Sequence, residues 1–141
     1  MSDTATAQPT ATAEALGFKL SFFKLIVRDI DRMVRFYTDA FGMMERNRIE
    51  QARFREVMLT TPGESFTLVL IHYTDGRAVE IGSAYGPVGF YTRDLDKAIA
   101  RATAHGATLT RGPSETPRMR VCFISDPEGH EIEMLAPIRS A

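Results

Sequence analysis

Apolar positions fall along this chain in two rhythms. Runs such as "FFKLIV" at 22–27 and "FTLVLIHY" at 66–73 are short and strand-like, whereas "IDRMVRFY" at 30–37 sets Ile30, Met33, Val34 and Tyr37 on one helical stripe. The stripe returns at Leu95, Ala98, Ile99 and Ala102. The recurrence is wider than the stripe: "RDIDRMVRF" at 28–36 reappears as "RDLDKAIAR" at 93–101, so the chain contains one unit twice. In each copy an aspartate, Asp29 or Asp94, stands where the free amides of a helix start need an acceptor. A glycine, Gly42 or Gly106, stands where the helix should stop. Three strand-like runs follow each helix: "ERNRI", "FREVMLT" and "FTLVLIHY", then "ATLTR", "RVCFIS" and "HEIEMLA". Turn signals separate them, among them "RGPSETP" at 111–117 and "DPEG" at 126–129.

This pattern predicts an α+β fold of two tandem βαβββ modules, 18–76 and 83–137, within a single domain at 18–137. The Ala/Thr-rich residues 1–17 read as a disordered tail, and 138–141 as a short second one. Each module covers one sheet face with its helix and leaves the other bare. Two modules joined edge to edge would therefore make a larger curved mixed sheet with a cavity on its concave side.

Composition narrows the partners. With 141 residues, 44% hydrophobic and 25% charged, the chain suffices for one well-cored domain. The net charge of −1 comes from 17 basic and 18 acidic residues spread along the chain, which gives no footprint for nucleic acid or an anionic membrane. No apolar run approaches the roughly 18 residues of a membrane span. Cys122, the sole cysteine, can form neither an internal disulfide nor a thiolate metal site, which fits a reducing compartment; a cytoplasmic location is expected.

The signatures "D-x-x-R-x-x-x-F-Y-x-x-x-x-G-M" in "VRDIDRMVRFYTDAFGM" and "D-P-x-G-x-x-I-E" in "SDPEGHEIEML" resemble the vicinal oxygen chelate superfamily. That superfamily includes glyoxalase I, bleomycin-resistance proteins, extradiol dioxygenases and methylmalonyl-CoA epimerase. The resemblance spans about residues 18 to 137 and implies the paired-module fold, a site at a module junction and a homodimer. In metal-dependent members the ligands come from the first and last strands of each module. Carried over position by position, those places fall on Phe22, Val69, Pro87 and Glu133, and only the last offers a donor. The resemblance therefore implies no metal and no cofactor here.

The three histidines do not restore a site. His72 lies three residues past Val69 and so faces the other side of its strand unless a bulge intervenes. His105 precedes Gly106 at a helix end, and His130 follows the "DPEG" turn, where a surface or turn role at the hairpin's end is expected. If that turn closes tightly, Ser125 opposes His130 and Cys122 opposes Glu133, to within one residue. Glu133 would then share its face with Arg120 and Cys122, beside Phe22 and Lys24. A carboxylate against Phe22, Val69 and Pro87 is poorly solvated, which suits it to proton abstraction near neutral pH. The bland alternative pairs Glu133 with Lys24, Arg120 or a backbone amide, as part of the wall.

The expected activity is a metal-independent lyase or isomerase that abstracts a proton from a small apolar or aromatic carbonyl substrate. Glu133 would be the base, and Phe22, Lys24, Val69, Pro87, Tyr91 and Arg120 would bind the substrate. The alternative is a bleomycin-resistance-type protein that sequesters a small molecule without catalysis. A metal-dependent glyoxalase I or extradiol dioxygenase is less favoured.

Overall fold

In the computed structural model, which describes residues 11–138, the two aspartates start the helices as expected. Asp29 accepts from the Arg32 amide at the head of α2 (Ile30–Phe41), and Asp94 accepts from the Lys97 amide at the head of α3 (Leu95–Ala104), both at 3.1 Å. Gly42 ends α2 in the left-handed conformation, at φ 70°, which a side chain resists. His105 closes α3, its amide donating to the Ala102 carbonyl. The expected tail lies outside the described residues as far as residue 10. Beyond that, one helical turn, α1 (Ala13–Leu16), is capped by Thr12 and Gly17.

Each module supplies four strands: β1 (Phe22–Ile26), β2 (Met44–Glu50), β3 (Phe54–Thr60) and β4 (Thr67–Tyr73), then β5 (Val88–Tyr91), β6 (Thr108–Glu115), β7 (Met119–Ser125) and β8 (Glu131–Pro137). The sheet orders are β1-β4-β3-β2 and β5-β8-β7-β6, with β1–β4 and β5–β8 parallel and the other pairs antiparallel. The βαβββ unit is thus used twice, as the repeat predicts. Two details differ. "RGPSETP", expected as a turn, is largely strand, because β6 runs on to Glu115 through two irregularities. The modules also do not merge into one sheet: among the described residues no strand of the first bonds a strand of the second.

The backbone at the end of β1 explains the separation. The Ile26 carbonyl accepts from His130 Nε2 at 2.8 Å, and the amides of Arg28 and Asp29 donate to the Glu128 carboxylate at 2.6 and 2.7 Å. Side chains of the second module thus satisfy groups that a neighbouring strand would otherwise pair. Phe41 stacks on Phe90 at 4.1 Å between centroids, and α2 packs against α3. The helix-facing sides of both sheets consequently feed one core, which includes Met33, Tyr37, Leu59, Leu70, Ile132 and Met134, all nearly or fully buried. Each such side chain contributes about 1.5–3 kcal/mol of burial. Among the described residues no helix is long and apolar enough to cross a membrane.

Candidate functional site

Strand parity decides which side chains reach the faces turned away from this core. On the first sheet Lys24 lies beside Val69, which lies beside Met58, and Phe22 precedes Lys24 by one pleat on the same face. Val69 is buried, whereas Phe22 remains 53% exposed. Lys24 Nζ donates to Glu56 Oε2 at 2.6 Å, and Glu56 is itself only 5% exposed. On the second sheet the row across the strands is Gly89, Glu133, Phe123 and Arg111. Tyr91 is one pleat further along beside Leu135.

This register corrects the expected pairing by one residue. Cys122 opposes Met134, not Glu133, and lies in the core with its thiol pushed up by burial. Arg120 opposes Ala136 and shares that helix-facing side, where it meets Asp96 at 3.3 Å; it does not stand beside Glu133. The cause is the turn. The Asp126 amide bonds the His130 carbonyl, so the loop holds only Pro127, Glu128 and Gly129, and Ser125 opposes Glu131. Gly129 takes φ 98°, as a three-residue hairpin loop requires of its last position. One residue of slip exchanges the two faces of β7 relative to β8.

His130 closes the hairpin turn through its carbonyl, but its side chain is not at the surface. It is 8% exposed, its Nδ1 lies 2.9 Å from Asp126 Oδ2, and Tyr37 donates to the same oxygen at 2.8 Å. Burial alone would lower the imidazole pKa, but the Asp126 hydrogen bond and charge, with the Ile26 carbonyl, raise it above its ordinary value. Burial, followed by Asp126, holds the Tyr37 hydroxyl well above the usual phenol range. His72 faces as its parity predicts, with Nδ1 3.0 Å from the Val27 carbonyl.

Two clefts open at the module junction. One, of about 810 Å³, is lined by Phe23, Phe66, Tyr85 and Phe90 together with Pro87 and Tyr91. The other, of about 870 Å³, takes Lys24 and Ile26 from β1, the 77–86 segment and Glu131. Of the anticipated binding residues, Lys24, Pro87 and Tyr91 line these clefts; Phe22, Val69, Arg120 and Glu133 line neither. One chain does not gather the expected set around a single cavity.

The donor chemistry does not fit a divalent ion. Phe22, Val69 and Pro87 carry no ligand atom, and among the described residues no three His, Cys, Asp or Glu side chains converge as an ion requires. Glu133 is half-buried and makes no hydrogen bond or ion pair with any described residue. The partners that would have made it a wall residue are taken: Lys24 binds Glu56, and Arg120 faces Asp96 and Glu115. Reasoning from sequence missed Glu56, whose charge sits inside an otherwise apolar strand pattern. It also missed Arg111, which stands where the strand-like run "ATLTR" meets the turn signal "RGPSETP".

Residues 14–134 match the family model described as the Glyoxalase/Bleomycin resistance protein/Dioxygenase superfamily. The chain belongs to that superfamily. Within it, a lactoylglutathione lyase of Arabidopsis thaliana is 29% identical over 77% of this chain and 41% of its own length. A lactoylglutathione lyase of Haemophilus influenzae is 27% identical over 79% of this chain and 87% of its own. The chain spans less than half the length of the first three curated relatives. Among solved structures, a glyoxalase family protein from Bacillus cereus superposes with a TM-score of 0.79 over 92% of this chain and all of that one, at 19% identity, which establishes the shared fold.

Proposed function

We propose that this superfamily member is a glyoxalase-like lyase or isomerase that works without a metal, with Glu133 as the base that removes a proton next to a carbonyl. The unpaired state of Glu133 carries the proposal. A half-buried carboxylate that serves only to order a wall would hold a cation or an amide, and among the described residues this one holds neither. In the reaction a Glu133 oxygen takes the proton, the C–H electron pair moves into the carbonyl as an enolate, and return of the proton to a different atom or face completes an isomerisation. Metal-dependent chemistry would need ligands that Phe22, Val69 and Pro87 do not supply. We further propose a homodimer whose second copy covers the bare sheet faces. Exposed Phe22, Ile26 and Tyr91, with the unpaired edges of β1 and β5, support it.

The aromatic-lined cleft of about 810 Å³ favours a second reading, a protein that binds a flat aromatic molecule without turning it over. One experiment separates the two. Lactoylglutathione, the compound in the relatives' names, and small aryl ketones are incubated in heavy water with chelator-treated protein, and carbon-bound proton exchange is followed by NMR. Exchange that falls about 10²–10⁴-fold in Glu133→Gln supports the base. Equal exchange in the variant returns Glu133 to the wall, and ligand binding without exchange favours the second reading.

A further inference from the structure

The row that holds Glu133 ends in a cation with no carboxylate. The Arg111 guanidinium lies 3.9 Å from the centroid of Phe123, and Phe123 is the direct cross-strand neighbour of Glu133. Among the described residues Arg111 makes no ion pair, unlike Arg48, Arg55, Arg77 and Arg120, each of which meets at least one acidic side chain. A ring face holds a guanidinium in place without using its N–H donors, which stay free for an anion.

The backbone is shaped to put Arg111 there. The β6–β7 register breaks on both sides of it, between Leu109 and Arg111 and again between Arg111 and Ser114. Such irregularities re-aim a side chain at the expense of ladder pairing. The next residue, Gly112, has φ 90°, and a Cβ on it would come 2.9 Å from the Val121 carbonyl oxygen, so this path is open to glycine alone. The Thr110 hydroxyl, on the other side, donates to the Phe123 carbonyl at 3.0 Å and ties the irregular segment to the strand that carries the ring.

Arg111 and Glu133 lie on the two strands that flank β7, about two strand spacings or ~9.6 Å apart at the backbone, with the guanidinium reaching in over the Phe123 ring between them. That reach suits a substrate whose anionic group and acidic carbon are one or two bonds apart. We propose that Arg111 is the anion-binding residue of the Glu133 site, and that the substrates are 2-oxo acids and similar carbonyl compounds bearing an adjacent carboxylate. Arg111 holds the carboxylate. Glu133 takes the proton from the carbon beyond the carbonyl, the electron pair becomes an enolate, and the same guanidinium field stabilises the added charge. The substrate class rests on the assignment of Glu133 as base, whereas the anion site does not.

The test uses phenylpyruvate, its methyl ester and phenylacetate, with the full-length wild-type, Arg111→Met, Arg111→Lys and Glu133→Gln proteins. Phenylacetate binding by calorimetry probes the anion site alone. It should weaken at least tenfold in Arg111→Met, recover partly in Arg111→Lys and persist in Glu133→Gln. Protein-dependent deuterium exchange should favour the acid over the ester in the wild type, and Arg111→Met should erase that preference by raising KM for the acid and slowing its exchange more than that of the ester. Absence of phenylacetate binding to the wild type, or equal binding to Arg111→Met, overturns the anion site. Retained binding with no wild-type exchange of either compound overturns the base and leaves the anion site standing. Circular dichroism of each variant separates lost binding from lost folding.

Discussion

Replacing His130 by leucine tests whether a buried charge pair fastens the second module to the first. Both imidazole nitrogens face acceptors, Nδ1 toward Asp126 at 2.9 Å and Nε2 toward the Ile26 carbonyl at 2.8 Å, a geometry that an imidazolium, with a proton on each nitrogen, satisfies in full. Asp126, 3% exposed, keeps the Tyr37 hydroxyl and two amides in the variant but loses its countercharge, and the Ile26 carbonyl loses its donor. Breaking a buried pair costs about 3–5 kcal/mol; the partners left to Asp126 put this one at the low end, about 3 kcal/mol, or roughly 10 °C in Tm. The cost should depend on pH. The folded pKa of His130 lies above its unfolded 6.5, so its contribution is fully present below 6.5 and is lost as pH rises through the raised value. Each unit by which the folded value exceeds the unfolded one is worth about 1.4 kcal/mol. Urea unfolding of wild type and variant at about pH 6 and about pH 9 should show a stability gap that narrows at the higher pH. A gap equal at both, or wider at about pH 9, refutes the imidazolium bridge.

Two further outcomes bear on the bare faces. Lys24→Met leaves Glu56 buried without its cation; because the Lys24 side chain is 43% exposed and its pairing is screened, the loss should be about 1–2 kcal/mol by urea denaturation. The double variant Lys24→Met/Glu56→Gln should recover most of it, and simple additivity would show that the pair is not coupled. Sedimentation velocity should give the mass of two chains, with Tyr91→Asp shifting it toward one; a monomeric wild type would mean that the sheet faces are covered by something other than a second copy.

Where the fold was legible, local chemistry carried the information. Asp29, Asp94 and Gly42 act at the helix ends their types dictate, and the spacing of Ile30, Met33 and Tyr37 faces the core because a 3.6-residue period admits one buried stripe. The β-register was not legible, since it hangs on one turn. Asp126 folds its carboxylate over the loop, accepting from the amides of Glu128 and His130, and Gly129 takes a positive φ; together these hold a three-residue loop, one residue longer than the tight turn expected. A period of two makes that single residue decisive: Cys122 and Arg120 turn inward, and Phe123 comes up beside Glu133.

The same slip changes the chemistry assigned to Glu133. In the expected register Glu133 opposes Cys122 and shares its face with Arg120, the cation that the bland alternative would pair with it; in the structure Arg120 faces Asp96 and Glu115 instead. In the observed register its neighbour is a ring, and the nearest cation of the row is Arg111, held by that ring and not by a carboxylate. A base must be free to accept a proton, and an anion site must be free to accept a charge. Phe123 keeps both groups on one face without letting them neutralise each other. For the base proposed at Glu133, whose counterpart positions Phe22, Val69 and Pro87 offer no side-chain ligand, this separation is what proton transfer without a metal requires.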